Sequence, residues 1–250
     1  MSISVLYWGM MLAVWFVIGA GMGSVANALI DRLPRGESWV KGRSHCDKCG
    51  HVLNIFDLIP LLSFVWLRGK CRYCHKPISV RNFVVELILG LAFVVIIGHS
   101  LAYNSLSLAA IFFVTVVIAV MDWETRLVSE WLVLIWGGLV VVGGGTGVGN
   151  VWGTLVGVGV IGGIWVVTRG RAMGFGDVEI ATVMGWWLGW RGIAVALWVA
   201  FVSGAIIGVV RVIRGIGGIK SEIAFGPFLI LGSWVAYFWG NIIWRWVFRF

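Results

Sequence analysis

Leu106-Ser-Leu-Ala-Ala-Ile-Phe-Phe-Val-Thr-Val-Val-Ile-Ala-Val-Met121 runs directly into Asp122. A stretch this long without a charge approaches the roughly 20 apolar residues that a helix needs to cross a bilayer. The pattern recurs on both sides of it. Eight spans are expected, at residues 5–30, 83–98, 106–121, 131–145, 151–168, 178–190, 192–210 and 225–244. Apolar residues make up 60% of the 250-residue chain and charged residues 12%, about half the charged share of a soluble domain. Mean hydropathy is +0.98. These values exclude the soluble globular, disordered and secreted disulfide-rich classes. The fold class is an all-α polytopic membrane protein with one cytoplasmic polar loop.

The net charge of +8 is concentrated rather than spread. Ten of the nineteen Lys/Arg residues lie between Arg32 and Arg81, the one long polar stretch. Basic loops stay on the cytoplasmic side, so this distribution describes a membrane topology and not a nucleic-acid partner. Alternating the loops from there puts sixteen basic residues inside and three (Arg191, Arg245, Arg249) outside, with both termini outside. No Lys or Arg precedes Arg32, so the first apolar segment lacks the basic start of a signal peptide and is expected to remain as a helix. The division that follows is a first transmembrane helix at 1–30, a polar loop at 31–82 and a membrane domain at 83–250. Gly153-xxx-Gly157 and Gly159-xxx-Gly163 have the spacing with which small residues let membrane helices pack closely. A glycine-rich turn is expected at 143–149, and no internal repeat stands out.

All four cysteines fall in the polar loop, as Cys46-Asp-Lys-Cys49 and Cys71-Arg-Tyr-Cys74. Two residues between paired cysteines let both sulfurs reach one ion from a tight turn, and two such pairs complete a tetrahedral thiolate shell, usually around zinc. Four protein ligands leave no open position, so the expected role is structural. Two disulfides are the alternative, disfavoured in a reducing cytoplasm. Gly50 suits the turn after the first pair, and Lys48, Lys70 and Arg72 offset thiolate charge. His45, His51 and His75 are read as surface residues.

Acidic residues at or inside spans are costly and are functional candidates by default. Asp122 closes the third span, and Asp177 ends Met173-Gly-Phe-Gly-Asp177 at the mouth of the sixth. A Gly-x-Gly before an aspartate lets backbone approach closely. Two such carboxylates brought together share one proton: one acts as general base on a water while the protonated partner polarises a scissile carbonyl. Two interfacial acids that merely cap helix ends are the plainer reading of the same residues. Glu86, Glu124, Glu130, Glu179 and Glu222 complete the acids near spans.

The order of motifs adds a second line of argument. Gly23-Ser-Val-Ala-Asn27 leads to Arg32-Leu-Pro34, then Gly42-Arg-Ser-His-Cys46 with Cys49, Ile59-Pro-Leu-Leu-Ser63, Gly69-Lys-Cys71 with Cys74, Pro77-Ile-Ser79 and Val85-Glu-Leu87. Asp122, Met173-Gly-Phe-Gly-Asp177-Val and Phe225-Gly-Pro-Phe228 follow. In this order the chain resembles the bacterial type IV prepilin peptidases, polytopic aspartic proteases of the Gly-x-Gly-Asp class that serve pili, type II secretion and DNA uptake. The resemblance implies that Asp122 and Asp177 are the catalytic pair, and that the substrates are type IV prepilin or pseudopilin precursors lying in the lipid bilayer of the bacterial inner membrane. It implies removal of their short basic leader after a glycine, at the cytoplasmic face. It also implies methylation of the new amino terminus with S-adenosylmethionine, for which no donor site is legible in the residues; Glu86 is a candidate for binding the new amine.

Three positions depart from the family pattern. Glu179 stands where a lysine is usual, Ser129-Glu130 where Pro-Asp is usual, and Asn82-Phe83 in place of Tyr-Pro. Two other classes compete. An ion-coupled transporter places its carboxylates at mid-span, whereas Asp122 and Asp177 sit at span ends. A catalytically inactive relative acting as a zinc-knuckle membrane scaffold needs the cysteines but not the aspartates.

Overall fold

The computed structural model describes residues 3–38, 42–97, 103–143, 148–215 and 223–247. Lys41, Lys220, Glu222 and Arg249, with residues 144–147 of the expected glycine-rich turn, lie outside the described residues. Among the described residues the regular structure is helical: α1 (Ile3–Arg32), α2 (Leu62–Trp66), α3 (Val80–Ile97), α4 (Tyr103–Thr125), α5 (Glu130–Val142), α6 (Val148–Gly157), α7 (Gly163–Thr168), α8 (Phe175–Ile213) and α9 (Gly226–Val247). The chain divides into two compact units, 1–117 and 118–250. The last turns of α4, with Asp122, belong to the second.

Six helical segments among the described residues are long and apolar enough to cross a membrane, so this is a multi-pass membrane protein. The expected eight differ from these six at two places. The fourth expected span is α5, whose 13 residues rise about 20 Å against a hydrocarbon thickness of about 30 Å. The sixth and seventh spans form the single 39-residue α8. Gly189 interrupts α8 with φ 68° and ψ 177°, a backbone region open essentially to glycine alone. The two expected spans are the two arms of α8 on either side of this break, and the arms fold back on one another: a β-carbon at Gly157 would meet both the Ala181 carbonyl oxygen and the Ile193 side chain.

In the first unit α1 packs on α3 through glycine. A β-carbon at Gly19 would come 2.5 Å from the Leu89 carbonyl oxygen, and one at Gly23 would strike the Glu86 backbone. This contact brings Asn27, one turn further along α1, against the start of α3, where its Nδ2 donates to the Asn82 carbonyl at 3.0 Å.

In the second unit α8 packs against α6 and α9. Gly153 and Gly157 lie directly on the α8 backbone at Gly185 and Ala181, as their spacing predicts. Gly159 and Gly163 do not: a β-carbon on either would meet nothing within 4 Å. The cause is a π-helical turn at Val158–Gly162. Its wider winding rotates the helix face, so that Ile161 is fully buried and Gly162 turns toward Val178.

Candidate active site and metal centre

Acid side chains are the costliest groups to bury. Two acidic residues are buried in the second unit, Asp122 (5% exposed) and Asp177 (7% exposed). Both line one cavity of about 400 Å³, together with Arg126, Glu130, Glu179 and Phe225, and the two carboxyls interact electrostatically.

Each aspartate is fixed by one backbone N–H. Asp122 stands in the last turns of α4, and its Oδ2 accepts a 3.0 Å hydrogen bond from Gly226, 104 residues along the chain at the start of α9. Asp177 sits in the first turn of α8, where its Oδ2 accepts from Gly174 at 3.0 Å. That bond caps α8 in the manner of a carboxylate three residues into a helix, so the capping role holds for Asp177. Asp122 ends its own helix, but it also satisfies a helix start, since Gly226 is the first residue of α9. In both residues Oδ2 is engaged, and the second carboxyl oxygen is left to the cavity.

The glycines of the two motifs act by contact. A β-carbon at Gly176 would come 2.7 Å from Cβ of Val128, in the segment after α4. A β-carbon at Gly226 would come 2.5 Å from Asp122 Oδ2. Gly226→Ala must therefore displace the Asp122 carboxyl. A displacement of about 1 Å costs on the order of 10²-fold in rate, so a loss of that size is expected in a turnover assay of detergent-solubilised protein with its helix content retained. Sequence reasoning had included Gly226 only as part of a motif; its hydrogen bond to Asp122 joins residues too far apart for any local pattern to reveal.

Glu130 and Glu179 line the same cavity and interact electrostatically. Two of the three departures from the family pattern thus meet in one place. With the aspartates they make four carboxyl groups, set against Arg126 and Arg171.

In the first unit the four cysteines come together as free thiols. Their sulfurs lie within 4.8 Å of one another, with Cys46 and Cys74 Sγ 3.9 Å apart. Disulfide sulfurs are about 2.05 Å apart. A tetrahedral ion bound at about 2.3 Å sets its sulfurs about 3.8 Å apart. The donor set therefore fits a single metal ion and not two disulfides.

Two matching turns build the centre. Cys46 donates its N–H to the His51 carbonyl, Gly50 to Cys46, and Leu53 to Ser44. Cys71 donates to Lys76, His75 to Cys71, and Ile78 to Gly69. The isolated bridges His45–Val52 and Lys70–Pro77 match in the same way. Every member of the second turn stands 25 residues after its counterpart. This is an internal repeat that sequence inspection missed, since the two stretches share little beyond their cysteines. Gly50 (φ 70°) has His75 (φ 55°) as its equivalent, so the left-handed position is filled by a histidine in the second turn.

The thiols oppose one another's ionisation. Burial works against the Cys46 thiolate, but backbone N–H groups of Lys48 and Cys49 and the neighbouring thiols bring it down to about 7. The His51 N–H favours the Cys49 thiolate, yet desolvation and the adjoining Cys46 and Cys74 raise it to about 11. The cluster holds one negative charge readily and resists a second without a cation. Of the offsetting cations expected, Arg72 is engaged elsewhere, in a 2.7 Å ion pair with Asp57.

Residues 17–100 match the bacterial peptidase A24 N-terminal domain, and residues 109–209 match the type IV leader peptidase family. A prepilin leader peptidase/N-methyltransferase of Aeromonas hydrophila is 34% identical, with 82% of this chain aligned to 74% of that protein. Proteins of the same name from Burkholderia pseudomallei (30% identical, 93% of this chain, 87% of the relative) and Myxococcus xanthus (31%, 86% and 68%) are also similar. No solved structure matches the chain. With two family domains in order and a relative above 30% identity aligned over most of both lengths, the chain belongs to the type IV leader peptidase family.

Proposed function

We propose that the protein is a membrane-embedded aspartic endopeptidase of the bacterial inner membrane. It removes the short basic leader from type IV pilin-like precursors at the cytoplasmic face and methylates the amino terminus that cleavage exposes. The observation that carries the peptidase reading is the burial of Asp122 and Asp177 together on one cavity. One carboxylate takes a proton from a water, the water attacks the scissile carbonyl, and the partner carboxylic acid donates a hydrogen bond to the developing oxyanion. The tetrahedral intermediate then collapses, the C–N bond breaks, and the departing amine takes the proton from the carboxyl that received it. The Gly226 and Gly174 N–H groups hold the two side chains in orientation while this occurs. Leader cleavage belongs to the unit 118–250, and methyl transfer to the first unit, with the loop at 31–82 organised by a structural zinc ion on Cys46, Cys49, Cys71 and Cys74.

The methyl donor S-adenosylmethionine supplies an electrophilic methyl group on a sulfonium when bound. The first unit offers a cavity of about 590 Å³ beside the cysteine centre, with Asp47 and Asp57 in its wall. That size suits a nucleoside-bearing ligand; the wall also carries Arg35, Lys48, Arg72, Lys76 and Arg81, so it is the volume and not the charge that supports this placement.

The four carboxyl groups of the peptidase cavity favour a basic leader. Glu179→Lys is expected to raise KM for such a precursor by about 3- to 10-fold at low salt, the difference shrinking as ionic strength screens it. An unchanged KM at low salt would remove the cavity acids from leader recognition. The test of the function itself incubates purified protein and a pilin-type precursor in liposomes, with and without S-adenosylmethionine, and weighs the products. Leader loss, and an added mass of about 14 Da only with the donor, are the expected results. An intact precursor would overturn the peptidase reading.

A further inference from the structure

The polar loop is not polar throughout. Leu58-Ile-Pro-Leu-Leu-Ser-Phe-Val-Trp-Leu67 is a run of ten residues without a charge, and it carries α2. On α2 itself Leu62 is 65%, Val65 63% and Trp66 86% exposed. Apolar side chains standing this far out are unfavourable in water, and grouped together they mark a contact surface.

The contacts of α2 fix its depth. The Leu61 N–H donates to Glu86 Oε2 at 2.7 Å, and the Phe64 ring lies against that of Phe83, centroids 5.2 Å apart. Phe83 and Glu86 stand in the first two turns of α3, one of the helices long and apolar enough to cross a membrane. The 18 residues of α3 rise about 27 Å, against a hydrocarbon thickness of about 30 Å. A helix with no length to spare crosses only if its first turns are already within the membrane. The segment that touches those turns therefore lies level with lipid rather than above it in water.

Its backbone and its flanks suit that level. Non-helical backbone at membrane depth persists only where its polar groups are satisfied or line a wet cavity. Leu61 adopts φ 62° and ψ −49°, and Leu62 donates to the Pro60 carbonyl at 2.6 Å, a γ-turn that is rare and strained at a leucine. Beyond it the N–H groups of Ser63, Val65, Leu67 and Gly69 all donate within the segment. Ser63 and Glu86 line a cavity of about 190 Å³. Arg68 and Lys70 follow at once, both exposed. Basic residues beside an inserted aromatic are placed for anionic headgroups.

We propose that residues 58–67 form an interfacial membrane anchor: Leu62, Val65 and Trp66 enter the leaflet at which α3 begins, and Arg68 and Lys70 meet its anionic headgroups. Apolar runs too short to span a bilayer have this as one of their uses. Cys71 follows Leu67 by four residues, at most about 14 Å of chain, so the anchor also ties the metal centre to the membrane surface.

The test replaces Trp66, and separately Val65, by a fluorescent amino acid in the full-length protein, reconstituted into liposomes of phosphatidylethanolamine and phosphatidylglycerol. Either the lipid carries a nitroxide high on the acyl chain, or iodide is present in the water on both sides. A side chain about 5–10 Å into the leaflet should lose about half its emission or more to the nitroxide, and about a tenth or less to iodide. Quenching by iodide, with or without quenching by the nitroxide, would overturn the inference by leaving the face in water, open to a protein partner. Quenching by neither would overturn it as well, by placing the face against protein. Both labelled side chains are exposed, so neither label enters a packed core, and each protein should melt as wild type does. The readout uses no precursor and no methyl donor, so its outcome is independent of the activities proposed above.

Discussion

Asp122→Asn and Asp177→Asn are each expected to lower leader cleavage by at least about 10³-fold, within the range lost when a positioned acid or base is removed. Asparagine keeps a side-chain oxygen of the same reach, so the Gly226 and Gly174 N–H groups retain their acceptor. The proteins should therefore fold. Removing a carboxyl that is costly to bury should leave their melting temperatures equal to wild type or higher. The measurement is product mass from a pilin-type precursor, read beside a thermal melt. Cleavage surviving in either variant would end the paired-aspartate mechanism. A higher melting temperature with no activity would identify these carboxyls as groups retained for chemistry at a cost in stability. The two single losses should not add in the double variant, because one water attack needs both residues.

Metal removal is expected to have the second large effect, confined to the polar loop. Between residues 42 and 79 the only buried apolar side chain is Cys71, while Ile55, Phe56, Leu62, Val65 and Trp66 are exposed. The loop has no core of its own, so an ion shared by the four sulfurs is expected to supply most of what keeps its two turns closed. Structural zinc contributes roughly 10–16 kcal/mol of apparent binding energy to small folded units of this kind. Chelation, or Cys71→Ser, should raise the rate of tryptic cutting at Lys48, Lys70 and Arg72 by two or more orders of magnitude, on the order of the folding energy lost. Far-ultraviolet dichroism, dominated by the membrane helices, should change little. One zinc ion per chain by elemental analysis is the companion result. A metal-free protein with a protease-resistant loop would refute the zinc assignment.

The reach of sequence reasoning differed between features in a physically intelligible way. Long apolar segments announce themselves because a membrane helix satisfies its own backbone and needs only lipid-compatible side chains. Six spanning-length helices were legible for that reason. What α5 does was not, since a 13-residue apolar run can be a short helix or a truncated span; the break in α8 was read within two residues of Gly189, although nothing local shows that this glycine adopts φ 68°. Gly153 and Gly157 were read correctly as packing residues, but the π-helical turn after them shifts the register, so the same spacing at Gly159 and Gly163 leads nowhere. The 25-residue repeat of the cysteine turns was hidden because it is carried by backbone hydrogen bonds, to which sequence identity contributes almost nothing.

By itself the sequence determined the membrane class and singled out the four cysteines and the two aspartates, because each is marked by residue type and spacing: hydrocarbon demands apolar runs, paired thiols at this spacing can meet at one point, and acids at span ends stand out from their surroundings. The tertiary structure alone decided how those groups are held. It put the Gly226 N–H against Asp122 across 104 residues, brought Glu130 and Glu179 to one cavity, and tied the Leu61 N–H to Glu86 across 25 residues. These are pairings between distant segments, set by which helix faces pack against which, and packing is a property of the folded whole that no local pattern encodes.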